Sequence, residues 1–193
     1  YTTYNINPII DSDDQAYYEF IYAKYLYVFA YKFENDVFYQ AKVHCAKASN
    51  LLIASKNSLH DDIDILYAIL LRYEGKLNDS VELLKKVLDN QLKHLVPDKT
   101  CQTALELGAI YRELTRFDDA MTVYEKIENT CSLSAYWNAR LKLNTGIILK
   151  NRLQLRISEG NVSFSDYENY KKTEEFFKFV YHYAKTCDDV LLQ

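Results

Sequence analysis

Residues 105–127, LELGAIYRELTRFDDAMTVYEKI, place Gly108 in the middle of an apolar helical run and begin a second run almost at once. Glycine inside a helix costs about 1 kcal/mol relative to alanine. A helix carries that cost where a neighbour comes too close for a side chain. The break near Thr115-Arg116 makes the two runs the arms of a helical hairpin, with Ala120 as the expected small residue facing Gly108.

The same pattern recurs along the chain. A shift of 40 residues lays Tyr67, Ala68, Leu71, Leu77, Ser80, Leu84 and Val87 over Leu107, Gly108, Tyr111, Phe117, Ala120, Tyr124 and Ile127. Small residues meet small ones and large apolar residues meet large apolar ones. A further shift of 38 brings Thr145, Gly146 and Leu149 into the same register. A period of this size is the mark of a repeat architecture.

Composition agrees with helices. The 193 residues include only 4 Gly and 2 Pro, too few for the turns of a sheet protein. No segment sustains the two-residue alternation of a half-buried strand. Helical spacing appears in the aromatic run 16–31, with Tyr18, Ile21, Tyr22, Tyr25 and Phe29 expected to pack, after a cap at Ser12. It continues in the runs 37–55, 61–75 and 81–92, then in 135–156 and 166–191, with 158–165 a loop.

The motif Leu107-Gly108-x-x-Tyr111 followed by Phe117-x-x-Ala120-x-x-x-Tyr124 resembles a tetratricopeptide repeat. The likeness is best over 101–131 and fair over 61–91. The first pair fits mainly through Ala41, Cys45 and Ala48. Over 134–187 it is weak, with an insertion at 151–165. The period exceeds the usual 34 residues, and Ser132 stands where the motif customarily has proline. The resemblance implies an all-α right-handed solenoid of about four antiparallel hairpins: 12–56, 60–92, 98–129 and 134–191, after a lead-in at 1–11. A single domain, an excerpt of a longer protein, is the expectation.

Catalytic and metal chemistry find little support. Cys45, Cys101, Cys131 and Cys187 form no C-x-x-C pair, and His44, His60, His94 and His182 are scattered, so no metal or other cofactor is expected. The carboxylate clusters at 11–14 and 61–64 precede apolar runs, where helix dipoles favour negative charge. Four scattered glycines make no phosphate loop. A net charge of −4 argues against a nucleic-acid binder. No apolar run reaches the length of a membrane span. Reduced thiols in a cytoplasmic protein that is not an enzyme are the expectation.

Recognition is the activity that the pattern favours. By the resemblance, the first helix of each hairpin lines a concave surface that takes a peptide or helix of a partner protein. Arg72, Arg112 and Lys150 share a repeat position, and a looser alignment adds Lys32. Such a ladder of cations would attract an acidic partner. The alternative is that these are helix-end cations favoured by the dipole.

An apolar strip of Ile65, Ile69, Leu105, Ala109, Leu143 and Ile147 runs beside the ladder and suits an amphipathic or apolar-acidic segment. These positions, with Arg140 and Asn144, lack the full set of polar residues that some of the resembled family use to hold a terminal carboxylate. A second functional class is a regulatory or sensor region of a larger signalling NTPase or transcription regulator, in which ligand binding shifts a conformational equilibrium.

Overall fold

A computed structural model of the chain describes residues 11–30, 36–52, 59–94 and 96–187. Among these residues the regular structure is all helical: α1 (Ser12–Ala30), α2 (Asp36–Leu51), α3 (Leu59–Tyr73), α4 (Leu77–His94), α5 (Pro97–Glu113), α6 (Phe117–Thr130), α7 (Ala135–Ser158) and α8 (Phe164–Cys187). The fold is an all-α series of helical hairpins. Its contacts gather into two compact units, Tyr1–Ser80 and Val81–Gln193, with the division falling inside α4.

In the first unit, α3 packs on both α1 and α2. The seam is lined with small side chains: Ala16 and Ala23 of α1, and Ala41, Cys45 and Ala48 of α2, all fully buried. Small residues let helix axes approach closely, and ridges on one helix can then enter grooves on the other. Leu59, Ile63, Leu66 and Leu70 recur on one face of α3 and fill the remaining volume. The expected cap at Ser12 falls one residue earlier, since the Gln15 amide bonds the Asp11 carbonyl. Likewise α3 begins at Leu59, so Asp61 and Asp62 occupy its first turn instead of starting it.

The aromatic run in α1 packs by its other face. The buried positions are Ala16, Phe20, Ala23 and Leu26, while Tyr18, Ile21, Tyr22, Tyr25 and Phe29 stay exposed. Both faces of α1 are apolar, so spacing alone selects neither, and the small alanines take the close seam.

The 40-residue period is visible in the backbone. Gly75 and Thr115 both take positive φ, 76° and 57°. At the first turn the Gly75 amide bonds the Arg72 carbonyl and Lys76 bonds Leu71. At the second, Thr115 bonds Arg112 and Arg116 bonds Tyr111. This is the paired closure of a Schellman cap, which uses up helix-end carbonyls and stops the helix. The following helices start alike, with Ser80 bonding Lys76 and Ala120 bonding Arg116. Ser80 is also fully buried, and its hydroxyl donates to the Ala68 carbonyl at 2.6 Å.

Gly108 faces Tyr124, not Ala120. A Cβ built on Gly108 would lie 2.6 Å from Cε1 of Tyr124, and nearer still to Cζ and Oη. The ring of α6 therefore occupies the place of the missing side chain. Gly146 repeats the arrangement in the next hairpin, where a Cβ would stand 2.9 Å from Cε1 of Phe177. The helix expected over 135–156 runs to Ser158, so residues 151–158 of the expected insertion lie within α7. Both arms of this hairpin are longer by about two turns on the far side of the glycine crossing.

Two outcomes follow. Gly108→Ala should lower the melting temperature despite alanine's better helix propensity, because overpacking costs about 1–3 kcal/mol where Tyr124 cannot move aside. A melt at or above wild type contradicts the contact. Thr115→Gly should raise stability by about 1 kcal/mol in denaturant titration, since a β-branched residue at positive φ is strained and glycine is not. No gain would show that this turn stores no strain.

Candidate functional site

Each unit places its sequence-predicted residues differently. Lys32 lies outside the described residues. Arg72 and Arg112 are half-buried in the last turns of α3 and α5, where the helix dipole favours a cation. Arg112 also stands near the Tyr124 phenol, whose titration burial pushes up. Lys150 differs, because α7 runs on beyond it and leaves the ammonium on an exposed mid-helix surface.

The apolar strip is partly absorbed into the protein. Ile65 and Leu105 are buried, at 6% and 7% exposure. Ile69, Ala109, Leu143 and Ile147 are half-buried, and Leu143 packs against a cluster formed by Ala139, Val180 and Ala184. Ile65 and Leu105 therefore offer little area to a partner, for a physical reason: these positions also carry hairpin packing.

A groove in the second unit gathers one of the expected cations with residues that sequence reasoning missed. It has a volume of about 360 Å³ and lies between Lys150, Leu153, Gln154 and Ile157 of α7 and Tyr170, Thr173, Glu174 and Phe177 of α8. On each helix the four positions follow i, i+3, i+4, i+7, the spacing of a single face. Ile157 and Tyr170 are more than half exposed at its mouth. The matching quartets were a signal in the sequence, hidden by reading 151–165 as an insertion.

Two contacts hold the walls. Phe177 is seated over Gly146 at one end. Near the other, Asp166 accepts from the Ser163 amide at 2.8 Å and the Ser163 hydroxyl at 2.6 Å, and pairs with Arg156 of α7 at 3.2 Å. Ser163 precedes α8 and Asp166 sits in its first turn, so the bonds cap that helix. The Asp166 side chain is only 3% exposed. The Ser163 bonds foremost, then Arg156, hold its carboxyl below the usual carboxylate range.

Most charges around the groove are occupied. Glu174 pairs with Lys178 at 2.7 Å and Arg152 with Asp118 at 2.9 Å. Lys142 pairs with Glu128 and lies over the rings of Phe176 and Phe179, while Arg140 donates to the Tyr136 hydroxyl. Among the described residues, Lys150 has neither a carboxylate nor a ring as partner.

Burial foremost pushes the Cys45 and Cys101 thiols up to about 12, so both stay protonated and unreactive at neutral pH. His44 pairs with Glu19, and His60 Nε2 bonds the Leu52 carbonyl at 2.9 Å. Among the described residues no group of three His, Cys, Asp or Glu could hold a metal ion, and no helix is long and apolar enough to cross a membrane.

Comparison with known proteins gives an architectural likeness. No family model matches the chain, and no curated protein matches it. A crystal structure of nearly identical TPR-like repeats, from a kinesin light chain candidate of Podosopora anserina, is similar with a TM-score of 0.49 and 14% identity. The alignment covers 86% of this chain and 95% of the other. The fold description rests on this chain's own helices, caps and glycine contacts.

The α8 cap gives a pH-dependent outcome. A carboxyl depressed in the folded state adds stability above its unfolded pKa of about 3.9, and that contribution disappears as pH falls through the lower folded value. Asp166→Asn should therefore lower the melting temperature at neutral pH, with the difference from wild type shrinking on acidification. A difference that stays constant with pH would contradict the assignment.

Proposed function

We propose that the chain is a protein-interaction module whose α7–α8 groove receives an apolar segment carrying acidic residues from a partner protein. The observation that carries this reading is the groove itself, with an apolar floor at Leu153 and Phe177 and the unpaired Lys150 at its edge. An apolar floor supplies area to bury, at roughly 25 cal/mol per Å². A lone cation at the rim favours an acidic partner and rejects a basic one. Glu174 does not cancel that preference, because Lys178 already neutralises it.

Helical hairpins suit such a role because a rigid groove pays little ordering entropy on binding. Recognition by a hydrophobic groove with a charged rim is a common way to hold an amphipathic helix or extended peptide. Of the cations that share the repeat position, Lys150 fits this reading best. Arg72 and Arg112 are half-buried helix-end cations.

A direct test uses a synthetic amphipathic helix with a leucine stripe flanked by glutamates, and a counterpart with lysines in place of the glutamates. Fluorescence anisotropy should show the acidic peptide binding at least about tenfold more tightly, a difference of ~1.4 kcal/mol. Lys150→Glu should remove the preference. Equal binding of the two peptides, or an unchanged preference in the variant, would overturn this reading.

A further inference from the structure

The outer face of α1 is apolar where a solvent-facing helix should be polar. Tyr17, Tyr18, Ile21, Tyr22, Tyr25, Val28 and Phe29 are between 37% and 65% exposed. At 100° per residue they fall within an arc of about 140°. Ala16, Phe20, Ala23 and Leu26 lie on the opposite side and are buried. The helix is thus apolar all round, which is the character of an element enclosed by protein on every side.

The rings on this face are ordered against one another. Tyr18 and Tyr22 stack with planes 3° apart, Tyr22 and Tyr25 with planes 12° apart, and Tyr25 and Phe29 lie 4.3 Å between centroids. The ring of Tyr22 also meets His44 of α2 edge-on at 4.7 Å, which helps fix its position. Charge is sparse over the same span. Between Tyr17 and Phe29 the charged residues are Glu19, which pairs with His44, and Lys24.

We infer that this face is a self-association surface, on which α1 of a second copy packs about a two-fold axis. A helix face with side chains exposed along its whole length can match the same face of another helix. A two-fold axis makes one patch its own complement, with no second surface needed. Large aromatic side chains present ~150–250 Å² each. At the observed exposures the face leaves on the order of 600 Å² per copy to be covered.

Two such faces give a total of about 1,200 Å², the lower end of the range for specific interfaces. The ~600 Å² on each copy also lies at the upper end of the largest apolar patch that most monomers leave in water, about 300–600 Å². Aromatic enrichment with few charges is the composition of an interface core. This surface belongs to the first unit and does not involve the α7–α8 groove.

Sedimentation equilibrium of the 193-residue chain tests the inference, with Tyr18→Glu/Tyr25→Glu and Tyr18→Phe/Tyr25→Phe as variants. Both sites are more than half exposed, so circular dichroism melts should show the variants folded. The wild type should behave as a dimer of the 22.7-kDa chain at micromolar concentration. The glutamate pair should raise the dissociation constant at least a hundredfold, and the phenylalanine pair should change it less than tenfold. A wild type that stays monomeric up to ~100 μM, or a dimer unaffected by the glutamates, would overturn it.

Discussion

The structure depends on one steric exchange, in which a helix gives up a side chain so that a ring from the next helix can occupy its place. Tyr124 does this over Gly108 and Phe177 over Gly146. In each case the glycine's lost propensity is about 1 kcal/mol, while burying a ring contributes ~1.5–3 kcal/mol. The exchange therefore favours the packed hairpin. It also sets the register, because the ring fits at one point along the helix and nowhere else.

The groove lies beyond the crossing. In the α5–α6 hairpin the helices end within about two turns of Gly108 at the Arg112–Thr115 closure. In the α7–α8 hairpin both arms run on, and the space between them widens into the groove. The cap at Ser163 and Asp166, with Arg156 reaching from α7, keeps the open end from separating. Packing at one end and hydrogen bonding at the other hold a concave site open without filling it. In the first unit, α1 keeps an aromatic face whose residues are 37–65% exposed.

Much of this was legible in residue order. The recurrence of Ala68, Gly108 and Gly146 marks the close crossings in the sequence, while the residue facing Gly108 is the ring of Tyr124 and not the small Ala120 that the pattern suggests. The helix break near Thr115 was also readable, and the buried ends of Ile65 and Leu105 were not. A strip of apolar residues at equal repeat positions looks the same whether it lines a groove or fills a seam. Tyr18 and Phe20 pose a similar problem in α1, since an all-round apolar helix has no pattern that says which half is inside. The groove at Lys150 and Phe177 was hidden for another reason. Helix lengthening by whole turns preserves the contact face in space while breaking the fixed period in sequence.

The central claim is that each glycine marks a place where a ring replaces a side chain. Proton NMR of the chain tests it most directly, through the α-protons of Gly108 and Gly146. The account predicts strong Overhauser contacts from Gly108 to the Tyr124 ring and from Gly146 to the Phe177 ring, with both pairs of α-protons shifted by the ring currents. Glycine α-protons at ordinary helical shifts, with no contact to either ring, would contradict it.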